Sequence, residues 1–346
     1  MRALSPDSHI SSSLHHALQG VMPERSEPLY VPKAYGLDYA GPTHPLMNEA
    51  GQILTSWLSG YNLFGSQETL LRFLKAGFHE LIGRTHWAAC EDDLNLITAW
   101  LGWIYVVDDR FDETRSGRDP LLVKKFSRQV FMMLVDDVPE RAGEDPFLRA
   151  LDELWQRTKN RSSIKWQQRF VSYLGEYFDT IAWECENRNA RRIPDLVEFC
   201  DMRRQAGGMV FVAFYELIHG IDLPEPLLMS GTIRRLQSIA MDVTGWINDI
   251  GSLNKEIAAG DVNNFVLVVE QTLCLGRPAA IKMIGRLIDE RNQEFFNECH
   301  ALCADKQPPF VRSSISEYRW YLDGLSSWIA GNVYWAQRSP RYSANF

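Results

Sequence analysis

Apolar residues recur at helical spacing through most of the chain. In residues 44–58, for example, Leu46, Ala50, Leu54 and Leu58 fall where one buried face of a helix would place them. No segment shows the alternation of apolar and polar residues that is typical of strands. The predicted helices span residues 44–58, 68–82, 92–109, 121–136, 146–158, 164–186, 193–202, 209–218, 224–250, 264–275, 277–303 and 309–336. Helices joined by short Gly- and Pro-containing segments, without strands, predict an all-α domain.

The first part of the chain lacks this pattern. Residues 1–27 carry Ser, His, Pro and mixed charges without an apolar period, which predicts a disordered tail. Residues 29–45 are rich in Pro, Gly and Tyr and are expected to form an extended segment across the folded body. Because no repeat or low-complexity segment divides the remainder, residues 28–346 are predicted to be a single helical domain.

Composition and charge limit the binding partners and the cellular compartment that the sequence predicts. The net charge is −8 and no long basic run is present, so nucleic acid is an unfavourable partner and an anionic substrate would need local cations or a metal. The sequence contains no apolar stretch of about 18 residues and no signal-peptide pattern, which predicts a soluble, cytoplasmic protein without a membrane span. The cysteines have no zinc-site spacing beyond one lone pair and are expected to be reduced core residues: Cys90, Cys185, Cys200, Cys274, Cys299 and Cys303.

Residues 246–264 carry the clearest candidate chemistry. Asn248, Ser252 and Glu256 lie at i, i+4 and i+8 of a predicted helix, and at about 100° per residue they stack along one face. Taken singly, such residues are typical of a solvated polar face. An amide oxygen, a hydroxyl and a carboxylate in a row are, however, ligands suited to Mg²⁺, which is usually shared with substrate phosphates. Lys255 could reach such a phosphate from the edge of the helix.

A second acidic cluster ends the predicted helix 92–109. Asp108, Asp109, Asp112 and Glu113 lie within six residues, where their charges repel one another and oppose the helix dipole. An exposed acidic turn neutralised by nearby arginines is one interpretation. The preceding residues 100–107 are too apolar for a surface helix, which favours carboxylates at the rim of a buried site where Mg²⁺ offsets the crowding.

Two adjacent glycines interrupt a third helical region. Gly207 and Gly208 each cost about 1 kcal/mol relative to alanine in a helix, so they predict a break, either a plain loop or one whose backbone faces a cavity. Arg203 and Arg204 stand just before them. An arginine at that position suits a diphosphate, because its planar fork donates two hydrogen bonds to phosphate oxygens.

These features together resemble class I terpene synthases of the microbial type. The resemblance covers roughly residues 30–345, with the family's motifs in their expected order. The matching positions are the aspartate-rich motif Asp108-Asp109-Arg110-Phe111-Asp112, the second metal motif formed by Asn248, Asp249, Ser252 and Glu256 with Lys255 at the frequently basic position, the G-D-x-x-N sequence at residues 260–264, and the terminal pair Arg341-Tyr342. The resemblance implies a helical bundle with a central active-site cavity.

The resemblance also implies individual roles. Three Mg²⁺ ions would be held by Asp108, Asp109 and Asp112 of the aspartate-rich motif and by the second motif, and Arg341 and Tyr342 would bind the diphosphate with Lys255. The family's diphosphate-sensing arginine precedes a glycine by four positions, which points to Arg204 with Gly208, and to Arg203 as the alternative. Gly207 departs from the Asp, Ser or Thr usual at the linker position. Cavity aromatics are expected at Tyr105 and Trp335, and less strongly at Phe73, Phe78 and Phe211.

The implied activity is Mg²⁺-dependent ionisation and cyclisation of a linear prenyl diphosphate, with farnesyl diphosphate favoured over geranylgeranyl diphosphate. A chain-elongating prenyl diphosphate synthase is an alternative, although Asn248-Asp249-Ile250-Gly251-Ser252 stands where that class has a second D-D-x-x-D. A non-catalytic helical protein that binds prenyl phosphates is another. A homodimer is expected by default.

Overall fold

The computed structural model describes residues 30–112, 119–136, 143–303 and 317–342. The predicted tail at residues 1–27 lies outside this part of the chain, as do the side chains of Asp112 and Cys303.

The described residues are mostly helical, and no strand occurs among them, which confirms the all-α prediction. The helices, in chain order, are α1 Met47–Tyr61, α2 Gln67–Lys75, α3 Phe78–Thr85, α4 Glu91–Asp112, α5 Pro120–Asp136, α6 Pro146–Lys159, α7 Ile164–Ala190, α8 Leu196–Arg204, α9 Gly208–His219, α10 Glu225–Leu228, α11 Gly231–Ala259, α12 Phe265–Leu273, α13 Arg277–Cys303 and α14 Arg319–Arg338, followed by a 3₁₀ turn at Pro340–Tyr342.

Two predicted helices are each divided in the structure. The segment 68–82 breaks before α3, where Gly77 adopts φ 71° in the left-handed region that favours glycine. The segment 224–250 breaks at Ser230, whose Oγ accepts a hydrogen bond from the backbone N–H of Ile233 and so caps α11. Apolar spacing continues through both breaks, which is why the periodicity alone did not reveal them.

Helix α11 is the main helix of the candidate site. Its 29 residues correspond to about 43 Å at 1.5 Å per residue, and it ends at Gly260, which takes the left-handed conformation with φ 74°. It packs against α13, α14, α8 and α12. Its buried residues include Ile239, Val243 and Ile247, so its apolar face is fixed in the core while its C-terminal half carries the predicted metal motif.

The extended segment before α1 lies across α13, as predicted. The backbone N–H of Lys33 donates to Asp289 Oδ1 at 2.8 Å, and Asn292 Nδ2 donates to Lys33 O at 3.2 Å and to Tyr39 Oη at 2.9 Å. Gly285 leaves space for the ring of Tyr30, which would lie 2.6 Å from a Cβ at that position. The segment is thus bound to the bundle through specific polar contacts.

The cysteines differ in part from the prediction. Cys90, Cys185, Cys200 and Cys274 are free thiols, and Cys185 is buried as expected. Cys90 and Cys274 are exposed, so their prediction as core residues is wrong. Among the helices that the structure describes, none combines the length and apolarity needed to cross a membrane.

Candidate active site

A cavity opens between α4, α7, the junction of α8 and α9, α11, α14 and the 3₁₀ turn. Polar and charged side chains and apolar side chains both line it. The polar set includes Asp108, Glu184, Arg203, Asn248, Ser252, Lys255, Glu256, Arg341 and Tyr342, and the apolar set includes Leu81, Leu101, Ile104, Tyr105, Phe211, Met241, Trp328 and Trp335.

The predicted helix break at the glycine pair is present and faces this cavity. Helix α8 ends at Arg204, α9 begins at Gly208, and Gly207 between them has φ 90°, in the left-handed region that a glycine adopts without strain. Ala206, Gly207 and Gly208 line the cavity. The break therefore presents backbone groups to the site, rather than forming a loop remote from it.

The two adjacent arginines at the end of α8 bind different residues of α11. Arg203 lines the cavity, and its guanidinium donates to Asp249 Oδ1 at 2.8 Å and to Asn248 Oδ1 at 2.8 Å. Arg204 does not line the cavity and instead binds Asp242 through Nε at 2.7 Å and Nη2 at 3.0 Å. Arg204 therefore does not reach the cavity at which its diphosphate contact was predicted, because a step of one residue turns a side chain by about 100° around the helix. Arg203, the alternative, lines the cavity instead.

The second metal motif forms a continuous row of donors. Asn248, Ser252 and Glu256 all line the cavity, and Ser252 Oγ donates to the backbone carbonyl of Asn248 at 2.7 Å. Asn264 Nδ2 donates to Glu256 Oε2 at 2.8 Å and to Asp249 O at 2.7 Å. Burial raises the pKa of the Glu256 carboxyl to about 7. A buried carboxylate in this position gains from a neighbouring cation, which a bound Mg²⁺ would provide.

The aspartate-rich motif ends α4 at the same cavity. Asp108 lines the cavity, and Asp109 accepts a hydrogen bond from Arg341 Nη2 at 3.3 Å and lies 4.0 Å from Lys255 Nζ. The side chain of Asp112 lies outside the described part of the chain, so its predicted metal contact stays a prediction. Cations do face this carboxylate cluster, as its charge crowding requires.

Arg341 and Tyr342 reach the site from the 3₁₀ turn. The Arg341 guanidinium carbon lies 5.1 Å from the centre of the Tyr105 ring, and the Tyr342 ring meets Trp335 edge to face at 5.6 Å. Tyr342 Oη accepts a hydrogen bond from Asn248 Nδ2 at 2.7 Å. Burial raises the pKa of the Tyr342 phenol, so it keeps the proton that it can donate to a ligand.

The predicted aromatic positions are partly correct. Tyr105, Trp335 and Phe211 line the cavity. Phe73 and Phe78 do not line it, and Phe78 instead stacks behind Tyr105 at 4.0 Å between ring centres, so these two predictions are wrong.

Sequence reasoning missed Trp328, which lines the cavity and stacks on Phe211 with ring centres 5.6 Å apart. The signal was available, because Trp328 precedes Trp335 by seven residues and seven residues return to the same helix face. Asp249 and Asn264 were also missed as partners of Arg203 and Glu256. They adjoin recognised motif residues, but only the folded contacts show what they bind.

The donor set fits Mg²⁺ better than a metal held entirely by protein. Within the described ranges, no three His, Cys, Asp or Glu side chains converge as a metal site. Mg²⁺ commonly takes only one or two carboxylates and completes its shell with water and substrate phosphates. Asn248, Ser252 and Glu256 on one wall, with Asp108 also lining the cavity, are the residues that could hold it.

The chain matches known proteins along most of its length. Residues 99–294 match the family described as "Terpene synthase family 2, C-terminal metal binding". The germacrene A synthase of Nostoc punctiforme is 30% identical over 295 residues, which cover 83% of this chain and 87% of that protein. The (+)-T-muurolol synthase of Roseiflexus castenholzii, described as "(2E,6E)-farnesyl diphosphate cyclizing", is 26% identical over 309 residues, covering 88% of this chain and 92% of that protein.

The fold is shared with solved structures. The germacradien-4-ol synthase of Streptomyces citricolor superimposes with a TM-score of 0.74 at 21% sequence identity, covering 90% of this chain and 98% of that chain. At this identity the match establishes the helical architecture alone.

Proposed function

Because the chain belongs to the terpene synthase family, as a class I terpene cyclase, we propose that it ionises and cyclises farnesyl diphosphate in a Mg²⁺-dependent reaction that releases diphosphate. One observation carries this proposal. Arg203, Asn248 and Arg341 line one cavity together with a set of apolar and aromatic side chains. Such a cavity suits a substrate with a charged diphosphate and a long hydrocarbon chain.

The polar wall would bind the diphosphate. Asp108, Asn248, Ser252 and Glu256 would hold Mg²⁺, which when bound would supply positive charge to stabilise the leaving diphosphate. Arg203, Lys255 and Arg341 add cationic hydrogen-bond donors, which are stronger than neutral donors toward phosphate oxygens. We propose three ions, with Asp109 or Asp112 contributing at the end of α4. Donors fixed in place before the reaction stabilise the charge that develops as the carbon–oxygen bond breaks.

Arg203 is proposed as the diphosphate sensor in place of Arg204. It lies within hydrogen-bond distance of the second metal motif, and Gly207 follows it by four residues at the cavity wall. This assignment moves the expected frame by one residue, so that Ala206 becomes the linker and Gly207 the glycine at the helix break. The buried ion pair of Arg203 with Asp249 holds the guanidinium at this wall.

The apolar wall would protect the cation that remains. Tyr105, Phe211, Trp328 and Trp335 present aromatic rings there, and a desolvated ring stabilises a passing cation by about 2 kcal/mol or more. Exclusion of water prevents premature capture of the allylic cation. Tyr342 lies on the turn that borders the cavity and is positioned to close it.

Farnesyl diphosphate is favoured over geranylgeranyl diphosphate as the substrate. The relative from Roseiflexus castenholzii is described as cyclising (2E,6E)-farnesyl diphosphate. Another similar protein, from Postia placenta, is described as sesquiterpene synthase 3. These names describe those proteins, and they support a C15 prenyl diphosphate as the substrate of this protein.

The proposal is tested by incubating the purified protein with C10, C15 and C20 prenyl diphosphates, with Mg²⁺ or with excess chelator. Gas chromatography with mass spectrometry identifies the products. We expect a cyclic C15 terpene that disappears with chelator. A cyclic product from the C20 substrate alone would overturn the chain length. Elongated diphosphates formed when isopentenyl diphosphate is added would indicate a prenyl diphosphate synthase, and absence of turnover with every substrate would overturn the catalytic proposal.

A further inference from the structure

The ring of Tyr342 lies directly on the backbone of α11 at Gly251. A Cβ built at Gly251 would lie 2.8 Å from Cδ1, 3.0 Å from Cγ and 3.2 Å from Cε1 of the Tyr342 ring. These separations are shorter than ordinary van der Waals contacts. Any side chain at Gly251 would therefore displace the ring.

Gly251 is not explained by backbone conformation. It lies inside α11 and is not among the described glycines with positive φ. A glycine inside a helix costs about 1 kcal/mol relative to alanine. The close approach of Tyr342 is the feature of the structure that requires a hydrogen at this position.

The Tyr342 ring has little freedom to move aside. Trp335 packs against it edge to face, and its hydroxyl accepts the hydrogen bond from Asn248 Nδ2. The turn that carries it is also bound to the bundle, because Ser339 Oγ donates to the backbone carbonyl of Ala76 at 2.7 Å. Displacement of the ring would break contacts on α11 and α14 together.

The docked Tyr342 also accepts a hydrogen bond from Asn248, three residues before Gly251. The Asn248 amide donates through Nδ2 to Tyr342, which leaves Oδ1 facing Arg203 at 2.8 Å. Arg203, which can only donate, holds Oδ1 and Tyr342 holds Nδ2, so loss of Tyr342 would remove one of the two hydrogen bonds that fix the amide. Gly251, on which the ring packs, and Asn248, the candidate metal ligand, thus lie about one helical turn apart on α11.

We propose that Gly251 is a positioning residue: it allows the Tyr342 ring to pack on α11, and the packed Tyr342, together with Arg203, holds the Asn248 amide in one orientation. The inference rests on the proposed function, since it assigns this contact to diphosphate binding and closure. According to this proposal, the docking of residues 340–342 determines whether Asn248 of the second metal motif is correctly oriented.

The variant Gly251→Ala tests this, with Gly231→Ala as its matched control. Gly231 begins the same helix, and a Cβ there meets nothing within 4 Å. For Gly251→Ala we expect loss of about tenfold or more in kcat/KM, a higher Mg²⁺ requirement and more acyclic alcohol from water capture. The melting temperature is expected to stay the same or rise, because alanine favours the helix. Gly231→Ala is expected to retain wild-type kinetics.

Hydrogen–deuterium exchange gives a readout that needs neither substrate nor metal. In Gly251→Ala, backbone amides of residues 341 and 342 are expected to exchange faster than in the wild type, while those within α11 stay protected. Unchanged protection of the turn would overturn the docking claim, whatever the activity.

A double-mutant cycle separates this contact from other effects of the substitution. If Gly251→Ala acts through the Tyr342 ring, it lowers kcat/KM by less than about twofold in a Tyr342→Ala background. Equal losses in both backgrounds would overturn the proposal. Failure of the proposed function would instead appear as an inactive wild type, and the exchange experiment would still decide whether Gly251 seats the turn.

Discussion

Arg203 Nη2 donates a 2.8 Å hydrogen bond to Oδ1 of Asn248, the first donor of the second metal motif. The candidate sensor and a candidate metal ligand are therefore in direct contact in this structure. Asp249, the next residue, is 2% exposed at its side chain and binds the same guanidinium. One arginine is thus tied to two consecutive residues of α11, and a change at either end is expected to affect diphosphate binding.

Removal of either end of the metal motif should abolish most turnover. For Asn248→Ala and Glu256→Ala we expect kcat to fall by about 10²-fold or more, with a raised Mg²⁺ requirement, because ligands and charge stabilisation are lost together. Turnover of farnesyl diphosphate is measured across a Mg²⁺ titration, and circular dichroism verifies the fold. Exposed Glu290 offers a control, and Glu290→Ala is expected to behave as the wild type. Near-normal activity in both motif variants would show that the metal assignment is wrong.

Trp328 is expected to guide the carbocation. Replacement by leucine removes an aromatic face worth about 1 to 2 kcal/mol toward a desolvated cation, which corresponds to about a 5- to 30-fold change in the partition between products. Gas chromatography of the Trp328→Leu products should show more acyclic or early-quenched compounds. Trp320→Leu is the matched control, since Trp320 lies on the same helix and does not line the cavity. An unchanged product profile in Trp328→Leu would argue that Trp328 only packs the core.

Buried histidine should make the fold sensitive to mild acid. Burial lowers the pKa of His86 to about 4, and its Nε2 donates to the backbone carbonyl of Phe211 at 3.0 Å. Because the folded pKa lies below the unfolded value, this stability is fully present above about pH 6.5 and is lost as the pH falls toward 4. From pH 7.5 to 5 the free energy of unfolding is expected to fall by about 2 kcal/mol on account of His86.

Urea unfolding at both pH values measures this loss, with His86→Gln as the variant that cannot titrate. His79, whose pKa burial also lowers to about 4, remains in that variant. In His86→Gln the free energy of unfolding should therefore still fall between pH 7.5 and 5, but by less than in the wild type, because the contribution of His86 is missing. Equal slopes in the two proteins would mean that His86 does not carry the effect.

The features that the sequence predicted well are those set by local spacing. The i, i+4, i+8 row on α11 placed Asn248, Ser252 and Glu256 on one face, and all three line the cavity. The glycine pair located the break between α8 and α9, because glycine is unfavourable inside a helix. The family motifs then identified the class of reaction.

The features that could not be predicted depend on helix rotation and on contacts between distant segments. Arg203 and Arg204 have the same chemistry, and only the docking of α8 on α11 decides which of them faces Asn248 and which faces Asp242. For the same reason Phe78, which was expected in the cavity, packs against Tyr105, while Trp328, for which no role was predicted, lines the cavity. Tyr342 packs on Gly251, which lies 91 positions earlier in the chain. Local periodicity gives no information about contacts between residues so far apart.

The rate of diphosphate release from farnesyl diphosphate in matched Arg203→Gln and Arg204→Gln variants tests the proposed site most directly. A single-turnover assay with Mg²⁺ measures it, and Arg203→Lys reports whether positive charge alone restores the rate. We expect Arg203→Gln to lose about 10²- to 10³-fold and Arg204→Gln to stay within about threefold of the wild type, because only Arg203 contacts the cavity. A collapsed rate in Arg204→Gln beside a normal rate in Arg203→Gln would contradict the assignment.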